Sequence, residues 1–201
     1  MLMPPRRAPE WSTTRWFNTP SPLSLQALRG KVVILHAFQM LCPGCVGHAL
    51  PQMKRAKQLF ADSPVSVVGL HTVFEHHEAM NENALAAFLK EYRVDYPIGI
   101  DAPDEYGSVV PQTMQRYGMR GTPTTILIDP RGRIRREVFG ADDDLLLGAA
   151  IGTLLGEHAS EHDVLDDTIS TRSAMEMDCG LDACIVPATL PDTFARAFNA
   201  S

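Results

Sequence analysis

The stretch KVVILHAFQMLCPGC, residues 31–45, decides the fold. Its first part, residues 32–38, is rich in β-branched side chains and lacks a clean polar–apolar alternation, as expected of a central strand covered on both faces. Cys42-Pro43-Gly44-Cys45 follows, and the chain then continues as a helix-like stretch to about Ala61. The pattern predicts a buried strand whose carboxyl end delivers two thiols to the start of a helix.

The placement of the two thiols predicts their chemistry. Unpaired N–H groups and the positive end of the helix dipole stabilise a thiolate at a helix N-terminus. Pro43 suits the first helical turn, where its missing N–H costs nothing. Cys42 can therefore attack a disulfide, and Cys45, one turn away, can resolve the mixed disulfide. A CxxC pair is also half of a zinc site, but the only other cysteines lie 134 positions or more beyond Cys45, so redox chemistry is favoured.

The rest of the chain reads as alternating strands and helices. We expect strands over residues 66–73 and 96–100, helices over 81–93 and 106–117, and a hairpin of 123–128 with 134–139. A helix over about 142–155 and a possible edge strand near 13–18 complete the set. Asn81 is a plausible helix cap and Gly118 a helix stop. This order predicts an α/β domain with parallel strands and a late antiparallel hairpin.

Composition narrows the function classes. The 201 residues are 45% hydrophobic and 21% charged, which excludes a disordered or collagenous chain. Eight of the 24 acidic and two of the 18 basic residues lie in 158–201, so this segment carries the whole net charge of −6. No basic stripe indicates nucleic acid, and no apolar run suits a signal peptide or a membrane span. We therefore expect a cytoplasmic protein with an arm at 1–14, a domain at 15–157 and an acidic extension at 158–201.

Three motifs in order carry a family resemblance: LSLQALRGKVVIL at 23–35, CPGC at 42–45 and GTPTTILID at 121–129. Together they resemble the TlpA-like branch of the redoxins, thiol–disulfide oxidoreductases of the AhpC/TSA-redoxin superfamily. The resemblance implies a thioredoxin-like α/β fold with a central mixed sheet of four to five strands flanked by helices. It also implies a redox-active disulfide, disulfide or thiol substrates, and a reductase that the sequence does not identify. We expect no dissociable cofactor and no bound metal.

The same resemblance assigns roles around the dithiol. It implies that Pro123 is a cis-proline packed beside the cysteines, and that the backbone of Thr122 binds the substrate chain. Leu41, Pro43 and Gly44 are further substrate-binding positions. The family commonly has Trp at the position of Leu41.

Besides Leu41, two positions depart from the family pattern. His36 stands six residues before Cys42, where thioredoxins carry a buried acid. Its imidazole could serve as the general base for Cys45, or it could simply be a core residue. Pro51 follows Cys42 by nine positions, one more than the family helix needs, which suggests a bulge or an altered kink in that helix.

Two other functions remain open. A peroxiredoxin-like thiol peroxidase would use Cys42 as its peroxidatic cysteine. Such enzymes place Pro and Thr seven and three residues before that cysteine, where this chain has Leu35 and Gln39, although Gln39 could donate a hydrogen bond. A non-catalytic binding or metal-handling module is the other alternative. The clusters that could serve it are Glu75-His76-His77-Glu78 and the pair His158 and His162.

The extension holds a second pair, Cys179 and Cys184, with Gly180 between them. The pair could be two unrelated thiols, a structural clip, or a second exchange pair that passes electrons to or from Cys42 and Cys45. A structural disulfide is disfavoured in a reducing cytosol.

Overall fold

The computed structural model describes the backbone of residues 1–176, 179–180 and 183–184, and the side chains of residues 1–160. The strands are β1 (Arg6–Arg7), β2 (Thr13–Phe17), β3 (Val32–Phe38), β4 (Val65–His71), β5 (Ile98–Asp101), β6 (Thr124–Ile128) and β7 (Arg133–Phe139). The helices are a π-helical segment (Cys45–Ala49) that runs into α1 (Leu50–Leu59), then α2 (Glu82–Glu91), α3 (Gln112–Tyr117) and α4 (Asp144–Glu176).

The first seven strands form one mixed sheet in the order β1-β7-β6-β3-β4-β5-β2. Strands β3, β4 and β5 are parallel, whereas β6 and β7 form the expected antiparallel hairpin. All seven residues of β3 are buried, as the apolar run predicted. The register pairs Phe38 with His71, so the segments that leave β3 and β4 start side by side.

The two faces of β3 support two hydrophobic cores. Val32, Ile34 and Phe38 pack on one face with buried side chains of α1, α2 and α4. Val33, Leu35 and Ala37 pack on the other face with α3 and the N-terminal segment. A strand covered on both faces has no solvent side, and this explains why its sequence lacks alternation.

The fold class is confirmed, but the sheet has seven strands where four to five were expected. The difference comes from the N-terminal residues, which add one strand at each edge. β1 pairs with β7, and β2 pairs with β5 close to the expected position. Trp11 is buried and its indole N–H donates to the carbonyl of Leu23 at 2.6 Å. Residues 1–14 therefore pack against the sheet and are no loose arm.

The helix ends follow local chemistry. Asn81 caps α2 by accepting a hydrogen bond from the N–H of Ala84, and Gly118 ends α3 in the left-handed region, both as predicted. Helix α3 starts six residues later than expected. Asp104 accepts hydrogen bonds from two backbone N–H groups in the preceding loop, and Pro111 is extended.

The chain divides into two units, Met1–His158 and Ala159–Ser201. In the second unit, β8 (Cys179–Gly180) and β9 (Ala183–Cys184) form a short antiparallel pair with Cys179 opposite Cys184. The side chains of these cysteines lie outside the described residues, so the roles suggested for them stay predictions.

Candidate active site

Cys42 and Cys45 lie where β3 ends and a helix begins. A turn follows β3. It is closed by a hydrogen bond of 3.2 Å from the N–H of Cys42 to the carbonyl of Gln39, and the helix begins at Pro43. The N–H of Cys45 donates to the sulfur of Cys42 at 3.2 Å. Cys42 is half-buried, so its sulfur combines solvent access with a helix N–H donor.

Cys45 lies behind Cys42 and is only 1% exposed. Burial, followed by the hydrogen bond with the side chain of Cys42, raises the pKa of the Cys45 thiol to about 12. The backbone N–H of Gln39 and the hydroxyl of Thr122 also hydrogen-bond this thiol, and both lower its pKa. The pair therefore consists of one accessible sulfur and one buried, protonated thiol, both free.

The peptide bond between Thr122 and Pro123 is cis, as the resemblance implied. The thiol of Cys42 lies 3.6 Å from the carbonyl oxygen of Thr122 and points its donor toward it. A Cβ at Gly44 would lie 3.4 Å from Cδ of Pro123, which puts this proline in contact range of the CPGC turn. The structure thus brings together Cys42, Cys45 and the proline loop.

The helix that follows the dithiol contains the irregularity predicted from Pro51. Cys45–Ala49 is π-helical, and the N–H of Leu50 bonds the carbonyl of Cys45, five residues back. A π-turn accommodates one extra residue. It therefore absorbs the additional position, and Pro51 falls in the first turn of α1, where its missing N–H is tolerated.

Exposed apolar side chains lie beside the dithiol and beside the proline loop, and together they form the rim of the site. Leu41 is 56% exposed, whereas Met40 is buried in the core. Phe139, 47% exposed, lies next to the proline loop, since a Cβ at Gly121 would come within 2.9 Å of its ring. The guanidinium of Arg120 lies 5.1 Å from the centre of that ring. Phe139 could not be assigned to the site from the sequence because nothing near it marks the end of β7 as part of the site. Arg120 directly precedes the motif at 121–129, and that position is the signal that could have found it.

His36 does not have the geometry of a general base. It is fully buried and stacks on Phe38, and neither ring nitrogen has a hydrogen-bond partner. Burial lowers its pKa to about 3, so the imidazole is neutral and weakly basic. A base for Cys45 needs a nitrogen in hydrogen-bond contact with that thiol. The structure therefore favours the other interpretation, that His36 is a core residue. Unlike most buried histidines, it makes no side-chain hydrogen bond.

Gln39 and Glu75 form a polar bridge beside the dithiol. The side-chain amide of Gln39 donates to Glu75 at 3.2 Å and to the hydroxyl of Thr122 at 3.5 Å. The sequence suggests for Gln39 only a role as a donor to peroxide, and for Glu75 only a place in a metal cluster. Leu35, at the position of the peroxiredoxin proline, packs in the opposite core.

Among the side chains that the structure describes, no group of three or more His, Cys, Asp and Glu is arranged to hold a metal ion. In the same residues, no helix combines the length and the apolar character needed to span a bilayer. The cytoplasmic location expected from the sequence stays a prediction.

Known proteins match the chain in sequence. The sequence model of the Redoxin family covers residues 5–146. Protein DipZ of Mycobacterium bovis is 32% identical over 146 residues, which are 72% of this chain but 20% of DipZ. Thiol-disulfide oxidoreductase ResA of Bacillus subtilis is 26% identical over 118 residues, 59% of this chain and 58% of ResA. The chain thus spans about a fifth of the length of DipZ.

Solved structures match it in shape. A thioredoxin-like superfamily protein, SPOA0173, superposes with a TM-score of 0.72 at 51% identity, over 75% of this chain and 96% of that one. A thiol-disulfide isomerase from Corynebacterium glutamicum gives a TM-score of 0.70 at 45% identity, over 74% of this chain and 96% of that one. From the family match and these superpositions, the chain belongs to the Redoxin family and has a thioredoxin-like fold.

Proposed function

We propose that the chain is a thiol–disulfide oxidoreductase in which Cys42 is the nucleophile and Cys45 the resolving thiol. The observation that carries the proposal is the asymmetry of the pair. The sulfur of Cys42 is accessible and accepts a helix N–H at 3.2 Å, whereas Cys45 is buried and protonated directly behind it. Relatives named for thiol–disulfide chemistry support the same reaction class.

The reaction follows from this asymmetry. The Cys42 thiolate attacks one sulfur of a substrate disulfide, forms a mixed disulfide and releases the first substrate thiolate. Cys45 then loses its proton and attacks the sulfur of Cys42, which releases the second substrate thiol. Two electrons pass from the cysteine pair to the substrate, and the pair is left as the Cys42–Cys45 disulfide. A reductase or a small thiol returns the two electrons.

The rim of the site would bind the substrate chain. The carbonyl of Thr122, now facing the thiol of Cys42, is an acceptor for a backbone N–H of an extended substrate, in the manner of an added strand. Pro123 shapes the floor of this groove beside Gly44. Leu41 and Pro43 are exposed next to the nucleophile and offer an apolar docking surface.

The test compares insulin-disulfide reduction and peroxide consumption for wild type, Cys42→Ser and Cys45→Ser, with dithiothreitol as the electron source. Wild type should reduce insulin, and Cys42→Ser should lose at least 99% of the enzyme-dependent rate because no other described thiol is accessible. Cys45→Ser should accumulate a mixed disulfide on Cys42. Insulin reduction that survives the loss of Cys42 would contradict the proposal. Peroxide turnover that survives the loss of Cys45, without insulin reduction by wild type, would favour the peroxidase.

A further inference from the structure

The polar bridge of Gln39, Glu75 and Thr122 joins three loops at the carboxyl end of the sheet. Gln39 directly follows β3, Glu75 lies in the loop after β4, and Thr122 precedes β6. Pairing of Phe38 with His71 brings the ends of β3 and β4 together, so residues 36 positions apart in sequence make contact. Gln39 is only 1% exposed. A buried amide with this many partners is held in one orientation.

The partners of Gln39 fix which end of its amide faces the dithiol. The backbone N–H of Phe74 can only donate, and it points at Oε1 of Gln39 at 3.4 Å. The carboxylate of Glu75 can only accept, and it lies 3.2 Å from Nε2. A flipped amide would set donor against donor and acceptor against acceptor. Nε2 is therefore the end that faces Thr122.

This orientation dictates the direction of the next hydrogen bond. The hydroxyl oxygen of Thr122 accepts from Nε2 of Gln39 at 3.5 Å, so its own hydrogen is free to point elsewhere. The same hydroxyl is in hydrogen-bond contact with the sulfur of Cys45. A hydroxyl that already accepts one hydrogen bond is polarised as a donor for the next.

We propose that Gln39 is a positioning residue: its amide, anchored on Glu75, turns the hydroxyl of Thr122 toward the resolving sulfur. The donor is in place when Cys45 becomes a thiolate and attacks the mixed disulfide. The role suits a buried thiol whose apolar surroundings oppose the charge and for which His36 supplies no hydrogen bond. This inference rests on the proposed function, because it concerns the second step of that reaction.

The experiment follows Cys42 and Cys45 separately with 5,5′-dithiobis(2-nitrobenzoate), whose thiolate product is coloured. Every protein compared, the wild-type reference included, carries Cys179→Ser and Cys184→Ser so that only these two thiols react. Attack by Cys42 releases one equivalent of product. Attack by Cys45 on the resulting mixed disulfide releases the second, so two phases appear with two electrons transferred in all. The variants are Gln39→Met, Gln39→Glu, Glu75→Ala and Thr122→Val. Glu78→Ala, which removes an exposed acid from the same loop, is the matched control.

We expect Gln39→Met and Gln39→Glu to slow the second phase about tenfold, with a much smaller change in the first. Tenfold is the fall in thiolate population if the pKa of Cys45 rises by about one unit. Met removes the polar amide, and Glu offers only acceptors, so the hydroxyl of Thr122 turns away from the sulfur. Glu75→Ala should slow the second phase about threefold because the anchor is lost but the amide remains. Thr122→Val should slow the second phase as much as Gln39→Met does, whereas Thr122→Ser, which keeps the hydroxyl, should react at the wild-type rate. In the double variant, Gln39→Met should cause no slowing beyond that of Thr122→Val alone.

Each failure has its own signature. A second phase unchanged in either Gln39→Met or Glu75→Ala, relative to Glu78→Ala, overturns the inference. Equal slowing of both phases also overturns it, since Gln39 would then only maintain the shape of the site. If wild type gives no second phase at all, the proposed function fails. Glu75 is exposed, so Glu75→Ala decides the question even where Gln39→Met does not fold.

Discussion

Acid should destabilise this fold through two buried histidines. His36 and His71 lie on one face of the sheet on either side of Phe38, whose ring contacts both. Both nitrogens of His36 and Nε2 of His71 lack hydrogen-bond partners. Burial lowers the pKa of His36 from 6.5 to about 3 and that of His71 from 6.5 to about 4. The folded protein thus keeps both rings neutral where the unfolded chain protonates them.

The sign and size follow from proton linkage. Below pH 6.5 the unfolded chain binds more protons than the folded protein, so stability is full above this pH and falls as the pH drops toward 4. The limiting slope is about 1.4 kcal/mol per pH unit for each histidine. Between pH 7 and pH 5, each histidine should therefore remove about 2 kcal/mol from the free energy of unfolding.

The measurement is urea-induced unfolding at pH 7 and pH 5, with a reductant present so that the thiols stay reduced. We expect His36→Leu to lose about 2 kcal/mol less than wild type between the two pH values, because one neutralised histidine is gone. All other titrating groups are shared and cancel in this difference. Met53→Leu, a substitution at a fully buried apolar position in the same core, is the control and should leave the pH difference as in wild type. Equal pH losses for His36→Leu and wild type would refute the argument.

Two further predictions concern the stability of the fold, one at a closely packed glycine and one at a buried carboxylate. Gly69→Ala should lower the free energy of unfolding by about 1–3 kcal/mol, because the added Cβ would lie 2.3 Å from Cδ1 of Ile98 in a packed core; thermal unfolding measures this. Asp101→Ala should cost about 2–4 kcal/mol, because the buried carboxylate accepts hydrogen bonds from the N–H groups of Thr113 and Met114 at the start of α3. Amide hydrogen exchange should show the loss concentrated in α3, and uniform loss across the sheet would contradict this assignment.

Much of the site could be predicted because its signals are local. The strand β3, the CPGC turn and the helix start are adjacent in sequence, so propensity and spacing were enough to place them. The bulge before Pro51 was predictable once the family spacing was known, since the chain has one residue more than that spacing and a helix can accommodate it as a bulge. The cap at Asn81 and the stop at Gly118 depend on side-chain and backbone chemistry within one turn.

The misjudged features depend on distant contacts. The N-terminal residues could be read as an arm because a two-residue strand such as β1 has no pattern of its own and exists only through pairing with β7. The position of His36 suggested catalysis, yet only the packed core shows that its nitrogens meet no partner. Likewise, nothing in the sequence joins Gln39 to Glu75, which the parallel register of β3 and β4 brings together.

The sequence by itself thus determined the fold class, the order of strands β2 to β7 along the chain and the pair of cysteines at a helix start, because each is encoded within a few neighbouring residues. Only the tertiary structure decided which cysteine is buried and which polar side chains reach it. Burial and hydrogen-bond geometry depend on residues such as Thr122, which lies 80 positions from Cys42 along the chain and is brought to it only when the sheet assembles.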